Sequence, residues 1–327
     1  MQLSVATEYW RNARPVVVSR GRYEGSDLVV VEVSGEAVAG RGECCPLSHY
    51  GQSPAASTAE LHAIAHHLSA GLSRRDLLDV LPPGPARNGL DCALWDYEAR
   101  AQGQSAWTLA GIAKPAQVAT AMTLMMASPQ EMAAAAAEHS EFANLKLKLG
   151  RDGAAEALLA VRRARPDAAL SIDANEAWTI DELEALYPVF EACQVVMVEQ
   201  PLRADADDAL RRTRSPVPLC ADESFHSSVD LPRCAERYDY VNIKLDKCGG
   251  LTEALRILDL APAHGLKTMV GCMFATSLAI APALLAAARA DYADLDAPLH
   301  LASDRPDAFA IRQGAYDLAT SSLWGEP

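Results

Sequence analysis

The sequence predicts a closed parallel α/β barrel preceded by a smaller α+β unit. Three observations carry that prediction. From about residue 118 onward, short apolar runs alternate with Ala/Leu-rich helical stretches at a period near 25 residues. A charged side chain stands at the end of one such run after another. No Gly-rich phosphate loop follows any run, which argues against the alternative, a doubly wound open sheet. The 327 residues are long for one core and suit two domains, or a barrel with an appendage.

The first hundred residues read differently from the rest. Residues 2–9, 15–20 and 28–34 ("LVVVEVS") have the pattern of an antiparallel sheet. Two helices follow. "SPAASTAELHAIAHHLSAGL" opens at Ser53-Pro54, a cap residue followed by proline at the first helical position, and "GPARNGLDCALWDYEARAQG" carries Ala93, Leu94 and Tyr97 at helical spacing. The barrel strands are predicted at 118–126, 144–149, 169–174, 195–200, 217–222, 240–245, 266–271 and 292–296, with helices in the gaps. Right-handed crossovers put those helices outside. The last 30 residues hold no further βα unit and are expected to pack back on the first domain. The expected division is a cap over 1–115, joined by 299–327, and a barrel over 116–298.

Composition excludes several classes. A net charge of −14 opposes a phosphate-neutralising surface, so neither nucleic acid nor an anionic membrane is an expected partner. No run of about 18 apolar residues predicts a transmembrane helix. The N-terminus lacks the basic start and apolar core of a secretory signal, so the expected compartment is the cytoplasm. None of the eight cysteines forms a C-x-x-C pair and most sit in apolar segments, which suits buried reduced thiols. The oligomeric state is left open, and a homo-oligomer is compatible with the sequence.

The chemistry lies at the strand ends. Lys148, Asp173, Glu199, Asp222 and Lys244 follow one another at steps of 25 (173 − 148), 26 (199 − 173), 23 (222 − 199) and 22 (244 − 222), each one βα unit. A closed barrel brings all five to the face where barrel active sites are built. Three converging carboxylates repel unless a cation sits between them. Hard oxygen donors without thiolate or imidazole suit Mg²⁺, with Mn²⁺ a substitute. Lys148 lies one strand before the triad and Lys244 one strand after it, so their ammonium groups face each other across the site. That placement suits 1,1-proton transfer, one lysine removing a proton and the other returning one to the opposite face. Lys146 shares a strand face with Lys148 and is read as a like charge that lowers its proton affinity. A proton α to a carboxylate is weakly acidic because its loss leaves an enediolate, and a divalent cation on the carboxylate stabilises that charge.

The motifs K-x-K, D-x-N, E-Q-P, D-E-S and N-I-K-L-D-K-x-G-G, in this order and spacing, resemble the enolase superfamily, muconate-lactonizing subgroup. The likeness extends to "GECCPLSHYGQS" and "ARNGLDCALWD" in the first domain. It implies a (β/α)7β barrel with an N-terminal capping domain. Within the subgroup the chain looks most like the dipeptide epimerases, which implies a small dipeptide partner, L-Ala-D/L-Glu as favoured substrate, and a context of cell-wall peptide recycling.

The resemblance also assigns substrate contacts. Asp294 and Asp296 in "ADLDAP" match the D-x-D pair that holds the dipeptide's α-ammonium. Two carboxylates two residues apart make a cation pocket. Arg20 matches the contact to the glutamate side chain, where bidentate pairing gives acidic selectivity, with Arg22 its neighbouring candidate. Thr123, Cys272 and Phe274 match further contact positions, and the loops around 20–26 and 46–53 the water-excluding lid. One departure is Ala275, where many members have Glu; it leaves the three carboxylates intact and removes a second polar group from the site. The same scaffold serves cycloisomerases, o-succinylbenzoate synthases and N-acylamino-acid racemases. A catalytically silent binding protein is the reading of another class; it requires the loss of a base or ligand, and all five are present.

Overall fold

A computed structural model of the protein describes residues 1–18 and 21–327. The chain opens with an antiparallel sheet of β1 (Gln2–Val18), β2 (Gly21–Ser34) and β3 (Ala39–Cys44). The two strands expected over 2–20 are one long strand with a register shift between Arg11 and Val16. Pro15 lies in that shift, and a residue without an N–H is tolerated where the ladder is interrupted. Next come α1 (Pro54–Ser69), α2 (Arg74–Val80), α3 (Pro85–Gln102) and α4 (Ala106–Leu109). Ser53 caps α1 through the Ala56 N–H with Pro54 at its first position, as the sequence predicts.

The sheet packs on α3 at a very close approach. A Cβ on Gly42 of β3 would lie 2.1 Å from the Gly89 carbonyl of α3, so only glycine lets the two backbones meet there. This contact is the physical content of "GECC" and "ARNGL".

The expected strand 118–126 is two elements, β4 (Gln117–Ala119) and β5 (Met122–Leu124). After them come α5 (Pro129–Glu138), β6 (Asn144–Lys148), α6 (Ala154–Ala164), β7 (Ala169–Asp173), α7 (Ile180–Ala192), β8 (Val195–Glu199) and β9 (Leu219–Ala221). Then follow α8 (Leu231–Cys234), β10 (Tyr240–Ile243), α9 (Leu245–Cys248), α10 (Leu251–Leu260), β11 (Lys267–Gly271), α11 (Ser277–Ala287) and β12 (Tyr292–Asp294). Strands β5 to β12 form one eight-stranded sheet in sequence order, parallel throughout. The Ala121 N–H donates to the Ala293 carbonyl at 3.0 Å, joining its first edge to its last. The barrel predicted from the βα period is therefore present.

Two expected helices are shorter than the pattern suggested. The stretch 206–214 is the 3₁₀ turn Asp207–Arg212, and 228–237 is a 3₁₀ turn running into α8. Pro232 has no N–H to give the Ser228 carbonyl, so the 3₁₀ turn and α8 do not join into one α-helix. No helix among the described residues is long and apolar enough to cross a membrane.

The C-terminal segment packs on both β4 and the cap helix α3. Strands β13 (Ala310–Arg312) and β14 (Ala315–Asp317) pair with β4. The Trp324 indole donates to Cys92 O at 3.0 Å, and the Gly325 N–H to Asp96 Oδ1 at 2.7 Å, both on α3. Arg305 binds Glu43 Oε2 (2.6 Å) and Glu8 Oε2 (2.7 Å) and stacks over Trp10. The same Glu43 accepts from Thr276 N–H and hydroxyl, so one buried carboxylate ties cap, barrel loop and tail together. The cap helix α3 also grips the barrel directly. Arg87 donates to the carbonyls of Cys248 (2.6 Å) and Gly249 (3.1 Å) at the end of α9, and Asp91 accepts from Thr252 N–H at the start of α10.

Candidate active site

Five strand ends deliver the predicted residues to one face. Lys148, Asp173 and Glu199 are the last residues of β6, β7 and β8, and Asp222 and Lys244 come one residue after β9 and β10. Ligand oxygens of Asp173, Glu199 and Asp222 lie within 4.8 Å of one another, and all three residues are buried. Lys148 and Lys244 stand four strands apart in a sheet of eight, half a circuit of the barrel.

The carboxylates are held by ammonium groups. Asp173 Oδ2 accepts from Lys148 Nζ at 2.6 Å. Asp222 Oδ2 accepts from Lys244 Nζ at 2.6 Å, and its other oxygen from Lys247. Burial works against the Asp222 charge, yet Lys244 and Lys247 hold its carboxyl well below the usual range. Asp173 is likewise lowered, burial being overcome by Lys148 and Lys146. Glu199 goes the other way, pushed up to about 7 by burial and by the neighbouring Asp173. Its Oε1 accepts from Asn242 Nδ2 at 2.6 Å. Its buried Oε2 meets Lys146 Nζ at 2.6 Å but in a geometry that makes no hydrogen bond. An acceptor so placed among three converging oxygens fits a hard divalent cation.

Lys146 differs from its expected role. Its ammonium is buried and bracketed by Asp294 (2.7 Å), Glu199 (2.6 Å) and Asp173 (3.2 Å). Burial opposes its charge, and those three acids outweigh it and hold the ammonium well above the usual lysine range. Its charge is thus matched by carboxylates and does not face Lys148 uncompensated. It binds the last strand to the triad.

Asp294 and Asp296 come together, though not by strand alternation. Strand β12 ends at Asp294, and Asp296 caps the 3₁₀ turn Ala297–His300. Thr123 of β5 joins them, its N–H donating to Asp296 Oδ2 at 2.5 Å and its hydroxyl to Asp294 Oδ1 at 3.4 Å. The Cys272 thiol donates to Asp294 O at 3.4 Å. The Phe274 ring lies edge-on to His300, centroids 5.8 Å apart. Ala275 is buried with Leu28, Cys45 and Met273 at the seam with the cap, where an acid would sit among apolar groups. Arg20 lies outside the described residues. Its neighbour Arg22 is exposed and pairs with Glu24 at 3.1 Å. From the cap loop, His49 reaches Glu176 (3.7 Å) and Tyr50 meets the His226 ring (5.2 Å).

Several supporting residues were not read from sequence. Gln200 accepts from the N–H groups of Asp222 (2.9 Å) and Ser224 (3.1 Å) and so fixes the end of β9 from β8. Asn175 donates its N–H to Asp173 Oδ1 and accepts from Lys148 at 3.0 Å. Both residues have positive φ, a strained conformation held by these bonds. They stand in E-Q-P and D-x-N, within two residues of a triad carboxylate, so the signal was present in the motifs quoted. Lys247 stands likewise in "KLDK", whereas His300 belongs to no motif.

Asp246, at the seam, allows a pH test. Its Oδ1 accepts from Cys45 N–H (3.0 Å) and Asn88 Nδ2 (2.8 Å), both in the cap. Burial pushes its carboxyl up to about 7. A carboxyl raised on folding releases its proton first in the unfolded chain, so its contribution falls as pH rises from about 4 to about 7. Asp246→Asn keeps an Oδ1 acceptor and removes the charge. In metal-free protein it is expected to gain stability over the parent at about pH 8, on the order of 3 kcal/mol, and little at about pH 4. Urea denaturation at both pH values checks this; an equal effect at both would sink it.

Comparison with known proteins accords with this geometry. Residues 1–111 match the mandelate racemase / muconate lactonizing enzyme N-terminal domain, and residues 129–322 the enolase C-terminal domain-like family. The chain belongs to the enolase superfamily. Its superfamily relatives include the L-Ala-D/L-Glu epimerase of Escherichia coli K12, 42% identical over 97% of this chain and 99% of that one. An N-acetyl-D-glutamate racemase from Pseudoalteromonas is 37% identical over 91% and 95%. A solved enolase-superfamily member from Agrobacterium tumefaciens, with homology to dipeptide epimerases and with bound sodium and L-Ala-L-Glu, superposes with TM-score 0.95 at 43% identity, covering 99% of both chains.

Proposed function

We propose that this chain is a Mg²⁺-dependent dipeptide epimerase that inverts the α-carbon of the C-terminal residue, with L-Ala-D/L-Glu as favoured substrate. The observation that carries the reading is the pair of lysines half a circuit apart around three buried carboxylates. Asp173, Glu199 and Asp222 would hold the metal. A divalent cation bound there stabilises the negative charge that develops on the substrate carboxylate as the α-proton leaves. Lys148 and Lys244 then act on opposite faces of the α-carbon, each as base for one epimer and acid for the other. Asn175 orients Lys148, and Asp222 orients Lys244. Lys146 fixes Asp294 against the triad.

Asp294 and Asp296 take the α-ammonium, with Thr123 setting their separation. Cys272 and Phe274 line the same end, and Arg20 takes the glutamate carboxylate. The cap, 1–115 with 299–327, closes over the barrel, 116–298, through Tyr50 and His49. Mn²⁺ is expected to substitute for Mg²⁺ on the same oxygen donors. A cytoplasmic role in recycling cell-wall peptides suits such a substrate.

The test is incubation with Mg²⁺ in D₂O, following α-deuterium by mass spectrometry. Both epimers of L-Ala-Glu are expected to take up deuterium at the glutamate α-carbon. Turnover of N-acetyl- or N-succinyl-amino acids with none of any dipeptide would replace this reading with an N-acylamino-acid racemase.

A further inference from the structure

His300 belongs to no motif, yet it sits against the pocket just described. Its Nε2 lies 3.0 Å from Asp296 Oδ2, its ring packs edge-on against Phe274, and its side chain is 13% exposed. Asp296 Oδ2 therefore receives two donors, the Thr123 N–H from β5 and the His300 imidazole from the turn after β12. With Oδ2 held by donors from two elements the carboxylate's orientation is restrained, and its second oxygen can turn toward a ligand. The neighbouring Asp294 is held differently, by Lys146 on one oxygen and Thr123 on the other.

The backbone around His300 is also fixed. Leu301 forms a bridge with Asn12 of β1, and the Ala302 N–H donates to Arg11 O at 2.8 Å. His300 thus stands between the cap's long hairpin and the acid pair. That hairpin reaches the barrel mouth, where Met126 N–H donates to Val17 O at 3.3 Å.

We propose that His300 is a positioning residue: it locks the Asp296 carboxylate and so gives the site its selectivity for ligands with a free α-ammonium over N-acylated ones. The inference rests on the epimerase reading and deepens it. An imidazole N–H is sufficient for the task, and an amide N–H can replace it. The charged groups facing the ring are Asp296, Asp294 and Lys148. Asp296 and Asp294 favour the imidazolium and Lys148 disfavours it; burial opposes it too, and the balance lies above the usual histidine value.

The test compares His300→Leu with His300→Gln, using L-Ala-L-Glu and N-acetyl-L-glutamate as ligands. Leu fills the space without a donor; Gln offers its amide N–H to Asp296. With His300→Leu, KM for the dipeptide is expected to rise about tenfold, as for loss of one hydrogen bond to a charged group. Its kcat is expected to stay within about twofold, because both lysines and the triad are untouched. Inhibition by N-acetyl-L-glutamate is expected to be unchanged, and His300→Gln to recover most of the dipeptide KM. An equal loss for both ligands, or no rescue by Gln, would overturn the proposal in favour of simple capping of the turn.

A second arm needs no substrate. Histidine NMR titration of the metal-free protein is expected to show the His300 pKa falling in Asp296→Asn; no change would also overturn the proposal. Wild-type protein that exchanges no dipeptide would instead remove the epimerase reading, and the NMR arm would still decide whether His300 holds Asp296.

Discussion

Lys148→Ala and Lys244→Ala are each expected to stop epimerisation while sparing opposite halves of the proton exchange. In a site with one base per face, the surviving lysine still removes the α-proton from the epimer that faces it. Its ammonium then exchanges with D₂O and returns deuterium to the same face. Each variant should therefore label one epimer without inverting it, and the two variants should label different epimers. Inversion should fall by about 10²–10⁴, the usual worth of a positioned acid or base.

The fold is expected to tolerate both changes. Asp173 keeps Lys146 and the Asn175 N–H when Lys148 is gone, and Asp222 keeps Lys247 when Lys244 is gone. Loss of the α-proton resonance reports exchange, and polarimetry reports inversion. Inversion surviving in either variant, or the same epimer labelled in both, would sink the two-base assignment.

The second large effect separates two residues of the same triad. Asp222→Ala leaves the Lys244 and Lys247 ammonium groups buried without their carboxylate. Breaking a buried pair from one side costs about 3–5 kcal/mol, so the metal-free protein should lose that much stability. Glu199→Gln should behave differently. Its Oε1 still accepts from Asn242, and Lys146 retains Asp294 and Asp173.

The substitution also removes a charge that burial disfavours. Glu199 rises from an ordinary value of 4.5 to about 7 on folding, so its contribution falls as pH rises through that window. The stability of Glu199→Gln relative to the parent should therefore improve from about pH 5 to about pH 8, ending within about 1 kcal/mol of it or above. Both variants should lose Mg²⁺ affinity. Urea denaturation in chelator reads the first effect and calorimetric Mg²⁺ titration the second. Equal destabilisation of the two variants would sink the contrast drawn between Asp222 and Glu199.

Much of this site was legible because its residues sit at strand ends, where one βα unit separates each from the next. Steps of 22 to 26 residues mark Lys148, Asp173, Glu199, Asp222 and Lys244 without any knowledge of side-chain contacts. The barrel was legible for the same reason. Contacts made across the barrel carry no such period. Lys146 shares a strand face with Lys148, yet its neighbours come from β7, β8 and β12, at separations no local pattern reports. Asp296 was found through the resemblance of "ADLDAP" to a D-x-D pair, although it lies on a turn and not on the strand. The split of 118–126 into two strands depends on β14, nearly two hundred residues on, which draws β4 out of the barrel sheet.

The anchoring of the tail has a consequence for the order of events when the chain is made. Glu43 meets Arg305 across 262 residues, and Cys92 meets Trp324 across 232. A ribosome releases the cap's strands and helices long before the groups that complete them. Until then the Glu43 carboxylate lacks its cation, and the α3 surface that receives Trp324 and Gly325 stays open to water and to other chains. Contacts this distant in sequence slow folding and lengthen the exposure of unfinished surfaces. The cap is therefore synthesised well before the groups that finish it, and the window between the two is when the nascent protein most needs protection from aggregation.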